Sequence, residues 1–69
     1  MKISLKNIAE LEYEYVMRAI RNDLLKESDW TQVADAPVNR EAWATYRQAL
    51  RDFPATWTAG PEADFPDTP

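Results

Sequence analysis

Prolines divide this chain before any other feature does. Four of the five, Pro54, Pro61, Pro66 and Pro69, fall within the last sixteen residues together with the sole glycine, Gly60. Proline lacks a backbone N–H and restricts the residue before it, so regular helix is expected to stop at Phe53. Residues 54–69 then read as an extended, Pro-rich C-terminal tail. Two helical patterns precede it. The first covers about 7–27. Asn7 and Glu10 have the spacing of a capping box, Glu10, Glu12 and Glu14 sit early, and Arg18, Arg21 and Lys26 sit late, which suits the helix dipole. The second covers about 40–53, with Asn39 as N-cap. Its apolar arc holds Ala42, Trp43, Tyr46, Ala49, Leu50 and Phe53. A polar connection, 28–39, carries Trp30 and Pro37. The expected fold is all-α: a helical hairpin with a Trp-containing connection over 1–53, followed by the tail over 54–69.

Such a hairpin has little with which to hold itself together. Apolar residues make up 45% of the 69 positions, but ten of them are alanine and only 21 are large. Ordering costs roughly 1.5 kcal/mol per residue, which nearly cancels what a core this size supplies. With no cysteine there is no disulfide to help. The first helix is also apolar on two sides. Tyr13, Val16, Met17, Ile20 and Leu24 can face the second helix; Ile8, Leu11, Tyr15 and Ala19 point the other way and find no partner in a bare hairpin. Trp57 and Phe65 are equally out of place in a solvated tail, so they must fold back or bind another chain. Self-association of the isolated chain is expected from this surplus.

Chemistry is harder to find. The chain has no histidine and no cysteine, which removes the commonest general base and the usual zinc ligands. Ser28 reads as a turn or cap residue, Glu10 and Glu14 as a solvated face, and Gly60 stands alone without a phosphate loop. No catalytic residue, cofactor or metal site is expected. A net charge of −4 opposes nucleic-acid binding. No apolar run is long enough to span a membrane, and residues 1–8 lack a signal-peptide core, so a cytoplasmic protein is expected.

One set of residues is more specific. Ser28-Asp29-Trp30-Thr31-Gln32, then Asp35-Ala36-Pro37, then Trp43 through Asp52 (WATYRQALRD) resembles the phage tail assembly chaperone family. The resemblance runs from about Arg18 to Pro69, with Pro61 and Phe65-Pro66 standing where relatives have a proline followed by Trp-Pro. Ala34 and the short spacer after Pro37 depart from the family pattern. The resemblance implies help in building the phage tail or its fibres, in the host cytoplasm, by binding a tail or tail-fibre structural protein. The alternative it leaves open is a permanent virion component clamping a fibre at its root or at the baseplate. The surfaces expected to meet the partner are Ile8, Leu11, Tyr15, Trp30, Arg47, Arg51, Trp57 and Phe65. Trp30 is expected to anchor the connection, Asp29 and Asp35 to fix turns, and Arg47 and Arg51 to present an exposed strip of guanidinium groups.

Overall fold

A computed structural model describes residues 1–69. It contains two helices, α1 (Tyr13–Glu27) and α2 (Arg40–Thr56), and two short strands, β1 (Lys2–Ser4) and β2 (Glu62–Asp64). Single 3-10 turns at Glu10–Glu12 and Asp29–Gln32 lead into and out of α1. The helices run antiparallel, because Arg47 of α2 reaches Leu25 near the end of α1 while Arg21 reaches back to Arg51. The all-α expectation is thus corrected. The N-terminal segment and the tail form a two-stranded antiparallel sheet in which Lys2, Ile3 and Ser4 face Asp64, Ala63 and Glu62.

The sheet explains why α1 starts later than the sequence pattern indicates. The Leu5 N–H donates to the Pro61 carbonyl at 2.6 Å, and the Ile8 N–H donates to the Leu5 carbonyl at 3.3 Å. Strand pairing therefore holds the backbone extended up to Leu5, and the turn that follows takes Asn7 out of capping position. Neither the 3-10 turn nor α1 has a side-chain N-cap. In α2 the local signals do operate: Asn39 Oδ1 accepts from the Ala42 N–H at 3.0 Å. Asn39→Ala is expected to lower stability by about 1 kcal/mol, measured by urea unfolding. Pro54 does not end α2. The helix continues to Thr56, and the Trp57 N–H still reaches the Phe53 carbonyl at 2.9 Å. Lacking an N–H, Pro54 forfeits only one ladder bond, and it sits in the last turn.

The tail is not a solvated appendage. Ala63 and Phe65 belong to the buried core with Leu5, Met17, Tyr46 and Leu50, while Ile3, Ile8, Tyr13, Val16 and Trp57 pack against its flanks. Phe65 stacks on Phe53 with ring centroids 4.7 Å apart, and Phe53 stacks on Trp57 at 6.2 Å. The Trp57 indole N–H donates to the Glu62 carbonyl at 3.0 Å, which fixes the approach to β2. The core is nevertheless thin. Only 9 of 69 residues are buried, in a body of 42 × 17 × 16 Å. Its radius of gyration, 13.2 Å, exceeds the roughly 11 Å of a compact chain this long.

The end of the sheet is clamped by charge. The Met1 ammonium donates to the Phe65 carbonyl at 2.6 Å, to Asp67 at 2.7 Å and to Asp64 at 3.3 Å. The Asp67 hydrogen bond raises the amine above its ordinary value near 8.0, and the same bond holds the Asp67 carboxyl below its ordinary value near 3.8. The raised amine contributes fully below about pH 8, and that contribution is lost as pH rises through its folded value. The depressed carboxyl contributes above about pH 4, and that is lost as pH falls through its folded value. In a chain that begins at Met1, the melting temperature is expected to hold between these limits and fall beyond them. Acetylating the amine should lower the plateau slightly and remove the loss that starts above about pH 8.

Candidate interaction surface

The residues shared with the family-like segments converge on the C-terminal end of α1. The last carbonyls of a helix lack i+4 partners, and here the Ser28 N–H reaches only the Leu25 and Lys26 carbonyls. The Ser28 hydroxyl donates to Leu24 at 2.8 Å and to Leu25 at 3.2 Å. Arg47 reaches across from α2: Nη1 donates to the Leu25 carbonyl at 2.6 Å and to Ser28 Oγ at 2.7 Å, and Nη2 donates to Asp29 Oδ1 at 2.6 Å. A guanidinium at the negative end of a helix dipole is favourably placed. Thr31, fully buried, donates to the Ser28 carbonyl at 2.6 Å, and Gln32 ties Thr31 to the Arg40 carbonyl. These polar residues lock the connection to both helices. Arg47, expected on an exposed strip, is instead 7% exposed, because its long stem crosses the helix interface to a cluster of acceptors. Asp29 holds Arg47 rather than a backbone N–H.

The other candidate residues separate into two groups. Phe65 is buried, and Ile8 and Trp57 are partly buried against the core, while Leu11, Tyr15 and Ala19 of the second apolar side stay exposed. Arg51 stays exposed, without an ion pair. Leu11 is 98% exposed and Tyr15 76%. Leu11 lies in the 3-10 turn that leads into α1 and Tyr15 in the first turn of α1, so both stand at the entry to that helix. Free carboxylates of Glu10 and Glu12 flank them, while Glu14 pairs with Arg18 at 3.1 Å. Trp30, 52% exposed, leans on Trp43 with centroids 6.4 Å apart and is joined by Val33, 51% exposed. The sequence signals Val33 only as a β-branched apolar residue three positions after Trp30 in a polar connection.

Two apolar patches therefore stand at opposite ends of a helix about 22 Å long. Shallow depressions accompany them. One of about 370 Å³ is lined by Glu10, Tyr13, Ala59, Gly60 and Pro61, and one of about 170 Å³ by Leu24, Glu27, Ser28, Trp43, Tyr46 and Thr68. Nowhere do three metal-ligating side chains converge. No helix is long and apolar enough to cross a membrane. Exposed aromatic and aliphatic side chains at the two ends of a helix are suited to gripping another polypeptide.

No curated protein and no solved structure matches the chain. A family pattern does. It spans residues 14–69, from the first turn of α1 through the locked connection and α2 to the docked tail, and leaves out residues 1–13, which supply β1, the first 3-10 turn and Leu11. On a match covering that much of its length, the chain belongs to the phage tail assembly chaperone protein family, a non-catalytic assembly role.

Proposed function

We propose that this chain works in the host cytoplasm as an adaptor that binds a phage tail or tail-fibre structural protein during assembly and leaves before the particle matures. The observation that supports this reading most is the Leu11–Tyr15 ridge, left open together with Ala19, whereas only Ile8 of the second apolar side packs against the core. A chain with so small a core gains nothing internally from that exposure. Trp30 and Val33 provide a second contact at the far end, and the partner spans both. Stable interfaces bury about 1,200–2,000 Å², more than two side chains supply, so the ridge acts as an anchor within a larger footprint. The same ridge makes weak self-association the expected behaviour of the isolated chain at high concentration; light scattering of Tyr15→Ser should show less of it.

The test is co-expression with the structural gene beside it, followed by mass spectrometry of finished virions. The tail or fibre protein should become soluble and co-purify with this chain, and virions should lack it. Failure to co-purify with any neighbouring structural protein would remove the adaptor reading. Stoichiometric amounts in virions would replace departure with a permanent clamp.

A further inference from the structure

The depression at the C-terminal end of α1 sets core aromatic rings beside a carboxylate, Glu27, that the fold leaves unpaired. Trp43 and Tyr46 meet almost at right angles, 88° with centroids 5.5 Å apart, and form its aromatic corner. Glu27 also lines it, and its carboxylate makes no ion pair within the chain. The carboxylate bears on Tyr46 directly: burial first, and the Glu27 charge second, raise the Tyr46 phenol above its ordinary value near 10.0. Leu24 adds an apolar side chain to the lining, and Thr68 of the tail contributes to it. The negative end of the α1 dipole adds to the same sign of field. Arg47, which reaches Ser28 on the lining, is already engaged by Asp29, Ser28 and the Leu25 carbonyl. At about 170 Å³ the space is below the roughly 300–1,000 Å³ of a cofactor or metabolite pocket and on the scale of a single side chain.

The geometry points to a socket for one cationic side chain, an arginine or lysine, of the protein this chain binds. Its aliphatic stem lies along Leu24 and the ring faces, its charged head meets the Glu27 carboxylate, and the aromatic corner adds cation–π attraction. The inference deepens the adaptor reading by giving the partner a basic anchor, yet the socket itself can be probed without the partner.

The experiment titrates the full chain with N-acetyl-arginine amide and N-acetyl-lysine amide, with N-acetyl-norleucine amide as the neutral counterpart. Side-chain resonances of Trp43 and Tyr46 report binding. Saturable shifts are expected from at least one cationic probe and not from norleucine. Glu27→Gln should weaken that binding about fivefold, the factor carried by an exposed charge pair near the top of its usual range. It should leave the melting temperature in place, since Glu27 is exposed and ends its helix. Absence of saturable shifts, equal binding of norleucine, or an unchanged affinity in Glu27→Gln would each overturn the socket. A chain that takes the probe but never co-purifies with a tail protein would refute the adaptor reading alone. One that co-purifies but ignores the probe would refute the socket alone.

Discussion

Arg47→Ala is expected to destabilise the fold by about 2–4 kcal/mol, a loss of about 10 °C or more in melting temperature for a domain this size. The pair with Asp29 is a minor part of that, because Asp29 is 66% exposed and water screens it. Most of the cost comes from the other two bonds. Removing the guanidinium strips a charged donor from the Leu25 carbonyl and from Ser28 Oγ at a buried helix end, and leaves a void where the stem crossed between helices. Three substitutions separate these contributions. Asp29→Ala should cost less than about 1 kcal/mol. Arg47→Lys keeps the charge but has one nitrogen for acceptors that a planar fork reaches at once, so it should fall between wild type and Arg47→Ala. Thermal unfolding followed by circular dichroism ranks them. Equal melting temperatures for Arg47→Ala and Asp29→Ala would mean that the helix-end lock contributes nothing.

Phe65→Ala should be at least as damaging, about 3–5 kcal/mol. Phe65 is 1% exposed and stacks on Phe53, which in turn stacks on Trp57. Its loss leaves a cavity beside Leu5 and Met17 and weakens the docking of β2 on β1. A core in a chain under about 70–80 residues rarely supplies more than about 3–5 kcal/mol net, so the variant should be largely unfolded at 25 °C, with both helices lost. A solvated tail would give the opposite result: Phe65→Ala would keep the wild-type helical signal and melting temperature.

What could be read along the chain was what is decided locally. The Asn39 cap and the arc through Trp43, Tyr46 and Leu50 depend on residues within a turn of each other, and α2 forms there. The start of α1 failed for the opposite reason. Asn7 and Glu10 have capping spacing, but Leu5 pairs with Pro61 and Met1 with Phe65, and those long-range bonds set the backbone before the cap can form. Arg47 lies off the apolar arc of α2, so periodicity assigns it to solvent; its acceptors are 18 to 22 positions away, and no local pattern shows them. Leu11 and Tyr15 were legible as an apolar side without an intrachain partner. Ile8, Trp57 and Phe65 were assigned to the same outward role because nothing local shows that the tail returns across the molecule.

The proposed function divides duties between two sets of residues: Ser28, Asp29, Thr31 and Arg47 tie the connection to both helices, and Leu11 and Tyr15 are proposed to anchor the partner. The double variant Leu11→Ser, Tyr15→Ser tests that separation most directly, with urea unfolding and co-purification measured on the same protein. Stability should stay within about 0.5 kcal/mol of wild type, as for surface substitutions generally, while co-purification with the tail or fibre protein is lost. Wild-type co-purification by the double variant, or a fall in stability like that of Phe65→Ala, would contradict it.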